Sequence, residues 1–318
     1  MVVSGRGLGA FLIAVAVLAA ACSSDKGRAV SPAPRSTPTT TAITPATGVA
    51  RGCVAFSRGG PDGGIHVLAA DGTSRRITTD PGDDQAAWSP DGTKIVFNRY
   101  RKGDQQIYVM SATGSGQKRL TTGRSDASPT WSADGTRILF TREVPGRSDF
   151  YTMKADGSDV RRLTKGRPDD GTPMWSPDGS TIAFVGSGSR NLALYVMRAG
   201  GSTRRSIGGD INAAWPRWSP NGTELAFVDE DDGSIQVLNA DGTGRRKVFD
   251  VTTLPGDMQP NFTEAAWSPD GMALIFAAGD SQSSHLYIVG IDGSGIKQVT
   301  TGPVTDEGPA WTARPTCR

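Results

Sequence analysis

The sequence predicts an all-β fold, a six-bladed β-propeller in which the C-terminal strand closes the first blade. A pentapeptide, Trp-Ser-Pro-Asp-Gly or a variant of it, begins at Trp88 and returns at steps of 43, 44, 43, 49 and 44 residues. In the first five copies a phenylalanine stands nine residues after the tryptophan, as Phe97 does after Trp88. A repeat of this length is typical of propeller blades. The six tryptophans are Trp88, Trp131, Trp175, Trp218, Trp267 and Trp311.

Each repeat contains four short runs of strand-forming residues that are separated by turn signals. The proline and glycine of the pentapeptide have the composition of a tight hairpin turn between the first two runs. A second glycine turn, such as Thr113-Gly114, joins the third and fourth runs. Four antiparallel strands in about 44 residues make one blade. In the second repeat the runs are Ala86–Trp88, Lys94–Asn98, Gln106–Met110 and Gln117–Thr121.

The two ends of the chain predict how the ring closes. The first repeat lacks its own tryptophan strand, and the strand around Trp311 has no repeat after it, so we expect this strand to complete the first blade. Cys53 and Cys317 both align with Lys94 of the second repeat. In an exported protein this alignment predicts a Cys53–Cys317 disulfide, worth on the order of 4 or 5 kcal/mol in the chain-entropy account. Free, buried thiols are the alternative.

Basic residues recur on the fourth run of the repeats, as in Arg75-Arg76 and Lys118-Arg119. This run is expected to be the outer edge of its blade, where charged side chains discourage pairing with the strands of other proteins. A basic surface for anionic polymers is the alternative interpretation. The formal net charge of +2 and the even spread of basic residues argue against nucleic-acid binding.

The N-terminal residues have the composition of an export signal. Arg6 precedes an apolar stretch from Leu8 to Ala20, and small residues precede Cys22. This segment resembles a bacterial lipoprotein signal, which implies that Cys22 carries the lipid anchor, although Ala19 stands where such signals usually have leucine. An ordinary secretory cleavage site is the alternative. The predicted domains are a signal peptide (1–22), a Ser/Thr/Pro-rich tether (23–51) and the propeller (52–318).

The repeat motifs resemble those called PD40 or WD40-like repeats, which form the six-bladed propeller of the TolB family. The resemblance rests on the pentapeptide, the phenylalanine nine residues on, and the runs Ile107–Met110 and Arg119–Thr121, and it covers about residues 52–317. In the TolB family, to which these repeats are similar, a periplasmic adaptor carries an α/β domain ahead of its propeller. This chain has a short tether at that place. Similar propellers also precede hydrolase domains, but the sequence contains no Gly-x-Ser-x-Gly elbow.

Candidate binding residues cluster five positions before the tryptophans. These aspartates are Asp83, Asp126, Asp170 and Asp306. Four carboxylates near the mouth of the central channel would form an acidic rim that favours cationic ligands or a metal ion. The alternative is that each aspartate caps its own loop through backbone N–H groups. Trp215, three positions before Trp218, and the long connection from Asp250 to Asn261 indicate a contact patch on that side.

The leading functional interpretation is a monomeric, membrane-anchored extracytoplasmic propeller that binds or scaffolds a protein or peptide of the cell envelope. The alternative is a carbohydrate-active enzyme of the polysaccharide-lyase type, with histidine and metal ligands at the channel mouth. We predict no catalytic residues, no bound metal and no cofactor, since His66 and His285 are far apart in the repeats and no cluster has zinc-site spacing.

Overall fold

The computed structural model describes residues 52–318 except 124, 166–169, 189–190, 210, 256–263, 281, 314–316 and 318. The predicted signal peptide, the tether and Cys22 lie outside the described residues. Within the described part, 24 β-strands form six four-stranded antiparallel sheets, and one short 3₁₀ helix spans Val251–Thr253. This confirms the predicted all-β six-bladed propeller. Over the same residues no helix is long and apolar enough to cross a membrane.

The first three blades have the following strands in chain order. Blade 1 contains β1 (Cys53–Arg58), β2 (Gly64–Leu68) and β3 (Ser74–Arg76). Blade 2 contains β4 (Asp83–Trp88), β5 (Lys94–Arg101), β6 (Asp104–Ser111) and β7 (Lys118–Arg119). Blade 3 contains β8 (Asp126–Trp131), β9 (Arg137–Val144), β10 (Arg147–Lys154) and β11 (Arg161–Arg162).

The last three blades repeat the pattern and supply the closing strand. Blade 4 contains β12 (Gly171–Trp175), β13 (Thr181–Ser187), β14 (Leu192–Arg198) and β15 (Arg205–Ile207). Blade 5 contains β16 (Ala213–Trp218), β17 (Glu224–Asp229), β18 (Ser234–Asn239) and β19 (Arg246–Asp250). Blade 6 contains β20 (Ala266–Trp267), β21 (Ala273–Gly279), β22 (Ser284–Gly290) and β23 (Lys297–Gln298), and the chain ends with β24 (Asp306–Thr312).

Strand β24 closes the ring. It pairs antiparallel with β1, with Val54 opposite Trp311 and Cys53 opposite Thr312, so blade 1 has the strand order β24-β1-β2-β3. The closure predicted from the sequence is therefore confirmed. Cys53 and Cys317 form a disulfide-capable pair whose Cα atoms lie 5.8 Å apart, within the usual range for a disulfide.

The pentapeptide builds the hairpin between the first two strands of each blade. In blade 2 the hydroxyl of Ser89 donates to Asp91 at 2.6 Å, and Asp91 accepts the backbone N–H of Thr93 at 3.0 Å. Gly92 has a φ of 67°, which an L side chain rarely adopts. The proline-aspartate-glycine sequence therefore has a turn function, and it recurs because every blade needs this turn.

The tryptophan of the pentapeptide joins its blade to the preceding one. The indole N–H of Trp131 donates to the backbone oxygen of Ala87 at 3.2 Å, and that of Trp88 donates to Ala310 at 3.1 Å across the ring closure. Equivalent bonds run from Trp218 and Trp267. A buried indole that finds a hydrogen-bond partner contributes both packing area and orientation. The repeat tryptophan is thus an inter-blade contact as well as a core residue.

The hydrophobic core lies between neighbouring blades. The phenylalanine of each second strand is at most 1% exposed, and one cluster joins Val96 of blade 2 to Ile138 and Phe140 of blade 3. The glycine turns between third and fourth strands also approach the preceding blade: a Cβ atom on Gly201 would lie 2.6 Å from the backbone oxygen of Leu163. Glycine at this position therefore permits the blades to pack closely.

Basic side chains on the outer strands contact the next blade. Lys118 donates to the backbone oxygen of Asp156 at 2.9 Å, and Arg246 donates to that of Ile291 at 2.9 Å. In each case the acceptor belongs to the turn between the third and fourth strands of the following blade. These side chains therefore have an inter-blade role. The edge protection expected from the sequence stays a prediction.

Candidate functional site

The four predicted aspartates lie at the start of first strands or just before them, and each forms an ion pair inside its own blade. Arg142 holds Asp126 with two hydrogen bonds, of 2.5 and 2.8 Å, and Arg58 holds Asp306 with bonds of 2.6 and 2.9 Å. The carboxylate of Asp126 raises the pKa of Arg142 through its hydrogen bond. Two parallel bonds of this kind are the strongest arrangement between arginine and a carboxylate. All four pairs are Asp83–Arg99, Asp126–Arg142, Asp170–Arg204 and Asp306–Arg58.

Each of these arginines also lies over the core phenylalanine of its blade. The guanidinium carbon of Arg142 is 5.4 Å from the ring centre of Phe140 and 4.7 Å from that of Tyr151. This distance permits a cation–π interaction. The aspartate, the arginine and the aromatic ring therefore form one buried stack, which is repeated along the propeller.

Blades 4 and 5 build the same stack from different positions. In blade 4, Gly186 occupies the position of Arg142, and Arg204 reaches Asp170 from beside the outer strand at 2.7 Å. A Cβ atom on Gly186 would lie 2.6 Å from the guanidinium of Arg204, so the glycine makes room for it. In blade 5, Asp229 takes the arginine position and pairs with Arg245 at 2.5 Å. The pair thus survives although its residues change strands.

These pairs alter the interpretation of the predicted acidic rim. The side chains of Asp83, Asp126 and Asp306 are 0% exposed, and that of Asp170 is 3% exposed. Their carboxylates are paired with arginine and do not form the free rim from which cation binding follows. The sequence did not indicate that these aspartates are buried beside arginine, because the arginine comes from the second strand in some blades and from beside the fourth strand in blade 4. Ligand binding by these four aspartates stays a prediction.

A β-bulge interrupts the first strand of several blades two or three residues before the tryptophan. The register of β4 against β5 shifts between Asp84 and Ala87, and Gln85 within the bulge has a φ of 51°. The same conformation recurs at Ser128, Thr172, Trp215 and Gly308. A bulge leaves one residue outside the strand ladder and redirects its side chain. We call the six residues three positions before the repeat tryptophans the channel belt: Gln85, Ser128, Thr172, Trp215, Glu264 and Gly308.

Contacts between blades place this belt around the central channel, which the first strands surround. The backbone N–H of Ser128 donates to the side-chain oxygen of Gln85 at 2.8 Å, across the boundary of blades 2 and 3. Arg217 contacts the sulfur of Met174 at 3.8 Å and forms an ion pair with Glu264, so it connects blades 4, 5 and 6. Trp215 is half-buried and has a φ of 54°, which is rare for a bulky side chain. It lies in the belt, but its predicted binding role stays a prediction.

Three carboxylates gather at one side of the belt, and we call them the channel acidic group: Asp84, Glu264 and Glu307. Ser57 donates to Asp84 at 2.8 Å across the boundary of blades 1 and 2. Burial, with the charges of Asp84 and Asp306, raises the pKa of Glu307 to about 7. Burial also raises the pKa of Glu264, against the opposing charge of Arg217. Sequence reasoning missed this group, although Asp84 and Glu307 stand four residues before their tryptophans and Glu264 three before its own.

The two histidines lie on third strands and not in the belt. His66 on β2 packs against Phe56 at 5.5 Å, and its pKa is lowered by burial. His285 on β22 pairs in register with Ala278. Among the described residues no three His, Cys, Asp or Glu side chains are arranged to hold a metal ion. The convergence of histidine, arginine and carboxylates expected of the lyase alternative is therefore not seen in the described part of the channel.

A comparison with protein families gives one match. The sequence profile described as the TolB beta propeller domain, PD40, matches residues 50–171 and 123–263. The chain belongs to this family. Membership agrees with the resemblance in the repeats and with the six blades of the structure. A search of curated proteins gave no match.

Solved structures support the same fold for this PD40 protein. TolB from Acinetobacter baumannii superposes with a TM-score of 0.72 at 19% identity, covering 82% of this chain and 66% of that one. A structure described as a TolB candidate from Agrobacterium tumefaciens gives 0.63 at 18% identity, covering 82% and 99%. Hydrazine synthase from Kuenenia stuttgartiensis gives 0.65 at 15% identity, covering 83% and 47%. At these identities the likeness concerns the fold alone, and the chain spans just under two thirds of the Acinetobacter protein.

Proposed function

We propose that this protein is an extracytoplasmic, lipid-anchored propeller that binds a protein or peptide partner at the mouth of its central channel. The observation that carries the proposal is the variety of the channel belt. The six repeats keep tryptophan and phenylalanine at their structural positions, but the belt holds six different residue types, and five of them share one positive-φ backbone geometry. Positions that only build the blade keep their residue, whereas a site needs different side chains around the ring.

The belt also has features that a structural role does not require. Trp215 places a bulky side chain at the positive φ of the bulge, a conformation that costs on the order of 1–3 kcal/mol for such a residue. Charged groups from blades 1, 2, 5 and 6 face one another with little solvent. Perturbed carboxyl groups in a concave site are candidates for ligand contacts. Membership of the TolB-type propeller family agrees with a binding role in the envelope, and the Cys22 segment with an anchor.

Site-specific photo-cross-linking tests the proposed face. Tyr100 is the penultimate residue of β5, at the channel-mouth end of the strand, and is 45% exposed, whereas Met272 lies in the β20–β21 hairpin at the opposite ends of the strands and is 64% exposed. A benzophenone side chain at Tyr100 should give a discrete cross-linked partner in intact cells, and one at Met272 should not. Equal cross-linking from both positions, or from neither, would contradict the proposed face.

The anchor has its own test. The mass of the mature N-terminal peptide should correspond to a lipid-modified Cys22, and a Cys22→Ala variant should leave the membrane fraction. An unmodified Cys22, or an N-terminus beyond it, would contradict the anchor without affecting the proposed binding face.

A further inference from the structure

The channel acidic group has more negative charge than the structure neutralises. It contains three carboxylates, and Arg217 forms an ion pair with one of them, Glu264. Asp84 accepts hydrogen bonds from uncharged donors, the hydroxyl of Ser57 at 2.8 Å and the backbone N–H of Gln85 at 2.6 Å. Buried carboxylates without a cationic partner are costly, and they take up protons or bind a cation instead.

Nearby charges do not remove this excess. Glu307 faces Asp84 and Asp306, and both raise its pKa together with burial. Asp306 is already paired with Arg58, and Asp84 in turn raises the pKa of Glu264. With one guanidinium against three carboxylates, the group would carry two uncompensated negative charges if it were fully ionised. Among these groups Glu307, with its pKa raised to about 7, is the one that holds a proton near neutral pH.

Buried polar atoms without partners point to the same place. Asn98 is 2% exposed, stands opposite Asp84 in register, and donates its amide hydrogen to Gln85, but its oxygen Oδ1 has no hydrogen-bond partner. Because Gln85 also accepts from the backbone of Ser128, its oxygen is fixed as an acceptor, and this fixes the orientation of the Asn98 amide. A buried acceptor without a donor is rare and calls for a ligand or a water.

The hydroxyl groups of two threonines extend this observation to the next blades. Thr141 stands opposite Ala127 in the register of blade 3, the position that Asn98 occupies opposite Asp84 in blade 2. Its Oγ1 has no partner, and neither has that of Thr172, a member of the channel belt. Three of the unpartnered side chains thus lie on or beside the belt.

The arrangement suits an organic cation better than a metal ion. A calcium ion needs six to eight oxygens within about 2.6 Å, and among the described residues no three His, Cys, Asp or Glu side chains are placed to hold a metal ion. A guanidinium or ammonium group instead donates several hydrogen bonds to oxygens about 2.8 Å away, which lie around it in different directions. Trp215 lies in the same belt and is half-buried.

We propose that the channel acidic group binds a guanidinium or ammonium group, carried by a lysine or arginine side chain of the partner segment. This rests on the proposed function, because the basic side chain belongs to the polypeptide that enters the channel mouth. The cation replaces the proton held by Glu307 and donates hydrogen bonds to the carboxylates of Asp84 and Glu307 and to the side-chain oxygen of Asn98. The unpartnered oxygen of Asn98 then has a donor, and one of the two excess negative charges is neutralised.

Calorimetric titration with the tripeptide amides Ac-Gly-Arg-Gly-NH₂ and Ac-Gly-Gln-Gly-NH₂ tests this proposal. We expect the arginine peptide to bind at pH 8 and the glutamine peptide not to bind. Heats measured in buffers of different ionisation enthalpy should show protons released on binding near pH 7. Because the pKa of Glu307 is about 7, lowering the pH from 8 to 6 should weaken binding about tenfold.

Variants distinguish binding at the channel acidic group from nonspecific attraction to the negative charge of the protein surface. Glu307→Gln and Asp84→Asn should each weaken the arginine peptide at least tenfold, whereas Glu143→Gln, an exposed position on β9, should bind as the unaltered protein does. Equal binding of both peptides, or binding unchanged in Glu307→Gln and Asp84→Asn, would overturn the proposal. So would calcium binding that depends on the same two residues while the arginine peptide fails to bind.

Two further outcomes distinguish the possible sources and the two proposals. Spermidine binding more tightly than the arginine peptide would assign the site to a free polyamine and overturn the partner assignment. If Tyr100 cross-links a partner but the arginine peptide does not bind, the proposal that the acidic group binds a basic side chain is wrong, and the proposed function stands. If the arginine peptide binds but no partner cross-links at the channel mouth, the acidic group does bind a guanidinium, and the proposed function fails.

Discussion

The charge of Glu307 predicts an unusual dependence of stability on pH. Burial near Asp84 and Asp306 raises its pKa from 4.5 to about 7. The folded protein therefore binds this proton more tightly than the unfolded chain does. Its stabilising contribution is complete below pH 4.5 and is lost as the pH rises through 7. The difference corresponds to about 3 kcal/mol at its upper limit, because one pKa unit is about 1.4 kcal/mol.

The variant Glu307→Gln removes this titration and keeps the size and hydrogen-bonding capacity of the side chain. We expect it to resemble the unaltered protein at pH 4.5 and to be more stable by about 1–3 kcal/mol at pH 8, since water at the channel mouth reduces the full value. Urea unfolding followed by tryptophan fluorescence between pH 4.5 and 8.5 measures the difference at each pH.

The control is Glu143→Gln, which makes the same chemical change at an exposed position. Its stability curve should run parallel to that of the unaltered protein. If the curve of Glu307→Gln is also parallel, or if this variant is the less stable one at pH 8, the carboxyl group of Glu307 is not held in the environment that the structure gives it.

Three other predictions concern the scaffold. Gly186→Ala should destabilise the protein by about 1–3 kcal/mol, because its Cβ atom would lie within 2.6 Å of both partners of the Asp170–Arg204 ion pair. Gly200→Ala is the control and should have little effect, because no atom lies within 4 Å of the added Cβ. Equal losses of stability in urea unfolding would refute this prediction. Thiol labelling of the unfolded, unreduced protein should leave Cys53 and Cys317 unmodified, and replacing both by alanine should lower stability by up to about 5 kcal/mol; rapid labelling would show that the bond does not form. Trp131→Phe should cost about 1–2 kcal/mol because it loses the inter-blade hydrogen bond, and an unchanged melting temperature would contradict that role.

The fold could be predicted from the sequence because its information is local. A tryptophan, a turn and a phenylalanine at fixed spacing specify one blade, and repetition gives their number. Even the closure followed, since Trp311 completes a blade that Cys53 begins. These predictions depend only on aligning the chain with itself.

The predicted aspartates show what aligning the repeats cannot predict. Their positions recur, and in the structure each is buried beside an arginine, but the sequence did not indicate these partners. Arg142 reaches Asp126 from the second strand, whereas Arg204 reaches Asp170 from beside the fourth. An ion pair depends on where two side chains end in space, so residues from different strands can serve equally well.

The sequence by itself thus determined the blades, their number and the way the ring closes. Only the tertiary structure decided which departures from the repeat meet. Asp84 and Glu307 are far apart in the chain and become neighbours because closure brings the C-terminal strand β24 into blade 1, next to blade 2. Burial then changes the protonation of these carboxyl groups, and burial is a property of the closed ring rather than of any one repeat.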